Sequence, residues 1–229
     1  VHKIKKNTYA FRVWAPNAEA VSVVGDFNDW DETKHKCFAI SPGIWEAIID
    51  GVEVFDCYKY AIKTKDGETL IIESGSTCAL FAEELAKTRQ NITIITNSVY
   101  LADYVADYGN IQIILLGGTL QPKGRSLVGP LTKRAIKEFH VDKIFTGTDG
   151  YSKDYGFTGE DLTRTDTVRE MTKSATHTYV LADSAKFHQS GAVAYLTFQE
   201  VYQVITDSGI SDEDKDYLIS QGIQVLLAE

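Results

Sequence analysis

Residues 64–77 read TKDGETLIIESGST, and they belong to two different rhythms. The first eight close a series of alternating polar and apolar positions, the signature of half-buried strands. The last eight are an apolar strand that runs into a turn of small hydroxyl residues, ESGST. Backbone N–H groups at the start of a following helix point outward, Gly75 permits close approach, and the hydroxyls of Ser74, Ser76 and Thr77 add donors, so this turn is a candidate anion site. Ser and Thr are also ordinary helix caps that bind nothing, and the motif alone leaves both readings open.

Upstream of the stretch, from Tyr9 to Lys65, the period is two: YAFRVWAP, AVSVVGDF, GIWEAIID and CYKYAIKTK, with turns at Pro16, Asn17, Pro42, Gly43 and Gly51. Short alternating strands at this spacing predict a small antiparallel β-sandwich. Trp14 and Trp45 alternate with polar neighbours as core residues do. Downstream, the apolar runs LIIES, ITIIT, IQIILLGG, DKIFTG, THTYVLAD, VYQVITD and IQVLLA alternate with helical segments. Continuous Ile, Val and Leu runs suit strands covered on both faces, with helices as the crossovers of a parallel sheet. A helix should start at about Ser76. Another should follow Asn97 and Ser98 and stop at Gly109, and a third should have Pro130 in its first turn with Leu131, Ala135 and Phe139 facing a core. The expected division is 1–69 and 70–229.

The chain has 229 residues, 44% of them hydrophobic, and a formal charge of −9, which argues against a sequence-independent grip on nucleic acid phosphates. Cys37, Cys57 and Cys78 are an odd number without metal-ligand spacing, which predicts reduced thiols in a cytoplasmic protein. No signal core or membrane-spanning run is seen, and no cofactor or metal is expected. The sequence begins at Val1 rather than Met, so a preceding segment is expected.

FRVWAPNAEAVSVVGDFNDWD, with GIWEAIIDGVEVFDCYKYAIKTKDGE, resembles the family 48 carbohydrate-binding module at the front of glycogen branching enzymes, over about residues 1–69. The resemblance implies an immunoglobulin-like sandwich and a glucan contact in which Trp30 stacks on a sugar ring while Lys59 and Asn28 bond its hydroxyls. The alternative is that Trp30 merely covers the sandwich. It also implies that the last sandwich strand is absent, and with it the catalytic barrel.

ESGSTCALFAEEL, ITIITNSVYLA, IILLGGTLQPKGRSLVGP, VDKIFTGTDGYSKDYGFT and YVLADSAKFHQSG, in that order, resemble the C-terminal effector-sensing domain of DeoR-family transcription regulators, over about residues 67–229. The resemblance implies an α/β domain with a mainly parallel sheet, similar to ribose-5-phosphate isomerase, that takes a phosphorylated sugar and assembles as a homo-oligomer. Carried over by position, the sugar-phosphate contacts are Ser74, Gly75, Ser76, Thr77, Asn97, Arg125, Asp149, Glu170 and Lys186. For Arg125, Asp149 and Lys186 the ordinary readings, a solvated loop cation, a turn residue and a surface ion pair, stand beside that one. Asp149 and Glu170 fall on acidic active-site positions of the isomerase, but a second acidic position falls on Thr146 and its catalytic lysine position on Gly159, which favours a receptor over an enzyme. The family's helix-turn-helix has no counterpart in this sequence, so no direct DNA contact is expected from it. Lys65 to Thr69 satisfies both family patterns, which suggests two unrelated frames joined at shared letters. The competing readings are a glucan-binding fragment of a 1,4-alpha-glucan branching enzyme and an isomerase-like enzyme.

Overall fold

Alternation in the first segment builds six strands: β1 (His2–Lys5), β2 (Thr8–Trp14), β3 (Ala18–Gly25), β4 (Phe38–Ser41), β5 (Ile44–Asp50) and β6 (Tyr58–Thr64). They form two antiparallel sheets, β1-β2-β5-β4 and β3-β6. Because side chains alternate across a strand, Phe11, Ala47 and Ile49 from one sheet meet Val21 and Val23 from the other in a single core. Two sheets around one apolar layer make the expected sandwich. The computed structural model describes residues 1–15, 18–64 and 68–228. The turn expected at Pro16 and Asn17 and the joint at Lys65, Asp66 and Gly67 lie outside the described residues.

Parity corrects one expectation here. Val13 packs against the core, so its neighbour Trp14 must face the other way, and Trp14 is 73% exposed. Trp45, opposite Val13 in the β2–β5 register, does pack on the core, and its indole donates to the Ala15 carbonyl at 3.0 Å.

The chain divides into two units, Val1–Glu68 and Thr69–Glu229. The second opens with β7 (Thr69–Ile72), α1 (Ser76–Thr88), β8 (Ile92–Thr96), α2 (Val99–Val105) and β9 (Ile111–Leu115). A hairpin of β10 (Thr119–Gln121) and β11 (Ser126–Val128) leads to α3 (Pro130–Ile136) and β12 (Val141–Gly147). Then come β13 (Gly150–Ser152), β14 (Gly156–Gly159), α4 (Leu162–Thr172), β15 (Ala175–Leu181), β16 (Val193–Leu196), β17 (Gln203–Asp207), α5 (Asp212–Ser220) and β18 (Gln224–Ala228). Seven strands form one sheet in the order β18-β17-β15-β12-β7-β8-β9, and every pairing in it is parallel.

Alternate residues of these strands serve two cores, which is why their sequences are apolar throughout. On one face Leu70, Ile72, Ile94 and Phe145 pack with Cys78 and Ala82 of α1 and Leu101 and Val105 of α2. On the other, Ile71, Ile95, Ile144, Val180 and Val204 pack with Ile136 of α3, Val168 and Met171 of α4 and Leu218 of α5.

The helix starts follow the sequence signals. Ser98 caps α2 by accepting from the Leu101 N–H at 3.0 Å, and Pro130 occupies the first turn of α3. Two details differ. α2 ends at Val105, short of Gly109. In α3 the buried positions are Thr132 and Ile136, four apart on one face. Leu131 is therefore turned outward and is 59% exposed, while Ala135 and Phe139 pack against the core as expected.

Ile144 sits in the central strand with 0% exposure. Ile144→Ala should lower the stability of the second unit by about 2–5 kcal/mol, the range for an aliphatic core truncation, read as a shifted urea midpoint with an unchanged slope.

Candidate functional site

The strand order reverses beside β7. From it the chain steps outward through β8 and β9, then returns to lay β12 on its other side and continues through β15, β17 and β18. In open parallel sheets the crevice at the carboxyl ends of the strands flanking such a reversal is where ligands bind. Here a cleft of about 280 Å³ lies there. It is lined by Ser74–Cys78 after β7, by Gly147, Thr148 and Asp149 at the end of β12, and by Leu181, Ala182, Asp183 and Lys186 after β15. Gly124 and Arg164 complete it.

Its floor is the start of α1. The N-cap is Gly75, at φ 148° and ψ 154°, with no side chain to cap the helix. That backbone conformation favours glycine, and it leaves the first N–H groups of α1 without a side-chain acceptor from the cap, facing a space that suits an anion. The loop is held from behind. The Asn97 side chain accepts from the Ser74 N–H at 3.2 Å and donates to the Leu127 carbonyl at 3.1 Å.

Beside the loop lies a charge cluster centred on Arg164, in the first turn of α4. Its Nε donates to Glu73 Oε1 at 2.9 Å and its Nη2 to Glu73 Oε2 and the Ser74 carbonyl, each at 3.1 Å. Nη1 donates to both Asp149 carboxylate oxygens at 3.2 and 3.3 Å. Glu73 is fully buried, and the Ser74 hydroxyl also donates to it at 2.6 Å. Glu73, and after it Asp149, hold the Arg164 guanidinium far above its ordinary pKa against the opposing effect of burial. Burial raises the Cys78 thiol above its usual range, and the Glu73 charge pushes it the same way. The buried Tyr195 phenol, bonded to the Thr146 hydroxyl, is raised chiefly by burial as well.

Lys186 rides on a short 3₁₀ turn, Ser184–His188. Asp183 caps it by accepting from Ala185 N–H at 3.1 Å, and Asp207 at the end of β17 accepts from Ser184 N–H at 2.8 Å. The lysine is thereby carried to the cleft wall.

Of the expected contacts, the fold brings Ser74, Gly75, Ser76, Thr77, Asp149 and Lys186 to one cleft. Ser74 is only 2% exposed and its hydroxyl is committed to Glu73, so it orders the loop instead of offering a free donor. Asn97 is 0% exposed and acts from behind, outside the lining. Arg125 also lies outside the lining, with its guanidinium 5.8 Å from the Tyr100 ring centroid. Glu170 is elsewhere: its carboxylate pairs with Lys137 and Lys173, each at 3.1 Å. Six residues beyond Arg164 on a helix, it points to a different side. In the first unit Asn28 is 2% exposed. Its side chain accepts from Gly25 N–H and donates to the Val23 carbonyl, both at 2.9 Å, and lies 2.9 Å from His35 Nδ1, which spends it on a turn. Trp30 is 43% exposed with its indole N–H on Asp26, and Lys59 lies in β6 opposite Val24.

Arg164 itself went unforeseen, although a signal was present. Asp161 N-caps α4 and accepts from Arg164 N–H, which puts a cation in a first turn, where the helix dipole disfavours it. Such a placement calls for compensating carboxylates, and Glu73 at the end of an apolar strand calls equally for a cation.

Residues 59–208 match the model of the DeoR C terminal sensor domain. The chain belongs to that family. Residues 1–74 match Carbohydrate-binding module 48 (Isoamylase N-terminal domain), so the two matches share residues 59–74 and the chain joins segments of two families. The sensor segment is similar to the HTH-type transcriptional regulator IolR of Bacillus subtilis, 27% identical over 72% of this chain and 65% of that one. It is also similar to the HTH-type transcriptional repressor GlcR of the same organism, 31% identical over 72% of this chain and 62% of that one. The chain thus spans somewhat less than two thirds of these regulators. The first segment is similar to the 1,4-alpha-glucan branching enzyme GlgB of Thermosynechococcus vestitus, 45% identical over 36% of this chain and 11% of that one. A ribose 5-phosphate isomerase A structure from Methanocaldococcus jannaschii aligns with 54% of this chain and 48% of that one at 21% identity and a TM-score of 0.38, too slight a likeness to carry weight. No helix among the described residues is long and apolar enough to cross a membrane.

Two outcomes follow, one for the sensor domain and one for the cysteines of both units. Arg164→Gln strands a fully buried Glu73 carboxylate and should cost about 3–5 kcal/mol in urea unfolding. Among the cysteines, Cys57 is exposed while Cys37 and Cys78 are buried, and burial pushes the Cys37 thiol up to about 11. Native protein at pH 8 should therefore titrate one fast thiol with Ellman's reagent, and Cys57→Ser should abolish it.

Proposed function

We propose that the second unit is the effector-sensing part of a DeoR-type regulator and that its effector is a phosphorylated sugar bound in the cleft. The observation that carries this is the meeting of the glycine-capped N-terminus of α1 with Lys186 at the strand reversal. In this reading the phosphate takes the N–H groups and hydroxyls of Ser76 and Thr77 and the ammonium of Lys186. The sugar hydroxyls extend toward Asp149 and Asp183. Binding alters regulation by favouring one conformation or assembly of the chain over another, and a homo-oligomer is the assembly proposed.

The reading is a receptor and not an isomerase. A Cβ at Gly159 would sit 2.5 Å from Thr165 Oγ1, so no lysine fits there without displacement. Thr146 stands where an acidic group would be needed to move protons, and its hydroxyl is engaged with Tyr195.

Calorimetric titration with a panel of phosphorylated sugars tests the proposal. One of them should bind, and Ser76→Asp should abolish that binding, because the added carboxylate repels the phosphate. Ribose 5-phosphate should be returned unchanged after incubation. Silence across the panel ends the reading.

A second reading concerns the first unit alone. The Trp30 ring is partly open to solvent at φ 61° with its edge fixed by Asp26, an orientation suited to stacking on a glucan. Titration with a linear maltooligosaccharide should give binding that Trp30→Ala removes.

A further inference from the structure

Arg164 is placed to touch an anion in the cleft, yet none of its donors is spare. A guanidinium has five N–H groups. One at Nε and one at Nη2 bond Glu73, the second at Nη2 bonds the Ser74 carbonyl, and the two at Nη1 face the two Asp149 oxygens. The bonds are unequal. Glu73 is fully buried and paired side-on, a geometry that is costly to break. Asp149 is met at the longest distances, and its side chain is 27% exposed in the cleft wall. Asp149 also has an independent partner, the Glu160 N–H at 2.9 Å, which keeps it in place when Arg164 leaves.

We propose that Arg164 is a specificity-determining residue of this cleft, a clamp whose Nη1 is exchanged between Asp149 and the anionic group of the ligand. The inference rests on the phosphate reading of the Ser74–Thr77 loop. Asp149 occupies Nη1. An anion on the loop, next to the Ser74 carbonyl that Arg164 already bonds, takes those two donors. Asp149 then retains Glu160 N–H and offers its released oxygen to a ligand hydroxyl. One guanidinium thereby links the two ends of the ligand: only a molecule carrying both an anion and a hydroxyl at the right separation recovers what Asp149 gives up. Inorganic phosphate satisfies the first half alone and must compete.

The test is a titration of the full chain with inorganic phosphate, followed by the backbone amide NMR shifts of Ser76 and Thr77. Asp149→Asn weakens the competitor while keeping its shape, and phosphate should bind roughly fivefold tighter, the scale of one partly exposed ion pair. A residue that merely supported the loop would give weaker binding. Loss of a nearby negative charge would also tighten binding, so the same change is made in an Arg164→Lys background, which keeps a cation opposite Glu73 but has no second nitrogen to exchange. There the gain should shrink to nearly onefold. An equal gain in both backgrounds, or none in the first, overturns the exchange while leaving the loop reading standing, provided that Ser76→Asp still abolishes the shifts. No phosphate-dependent shift in wild type or Asp149→Asn overturns both.

Discussion

A fully buried carboxylate and the partly buried guanidinium paired with it at the mouth of the sheet organise the second unit. Glu73 is the residue between the last strand position of β7 and the Ser74–Thr77 loop, and Arg164 belongs to a helix far away in sequence. Each is unfavourable alone: one ends an apolar strand with a charge, the other places a cation where α4 begins. Together, with the Ser74 hydroxyl and carbonyl as further partners, they fix the loop, the start of α4 and the turn bearing Asp149 in one arrangement. The cost of separating them makes that arrangement specific.

The consequence for chemistry is a cleft that is polar without being strongly basic. Arg164 and Lys186 on its wall are matched by Asp149 and Asp183, with Glu73 beneath. In the proposed reading, attraction for an anion comes mainly from backbone N–H groups at a helix start, which are fixed in direction and need no countercharge. Such donors hold an anion where it stands. They move no protons, which is what the proposed receptor requires.

Much of this was legible in the residues. The sheet strands declare themselves because burial on both faces demands unbroken apolar runs such as ITIIT, whereas the glycine and hydroxyls at the start of α1 marked a helix start and left open whether it holds an anion. What escaped depends on angles and tertiary distance. Trp14 differs from an inward residue only by one step of parity, Leu131 by one step of helical rotation, and Glu170 lies on the right helix but the wrong side of it. The Glu73–Arg164 pair required knowing that two charges distant along the chain are neighbours in space. Each looked anomalous by itself, and two complementary anomalies were the available clue.

Asp207 adds a dimension to the cleft that its lining does not reveal. Sitting at the tip of β17, one strand further out, it binds the backbone of the segment that presents Lys186, and that contact holds its carboxyl below the usual range, chiefly through the Ser184 N–H. The reach of the lysine is therefore set in part by a residue outside the cleft lining. In the proposed receptor this is a remote adjustment screw: the position of the cation can drift with changes in the outer strand while the Ser74–Thr77 loop stays as it is.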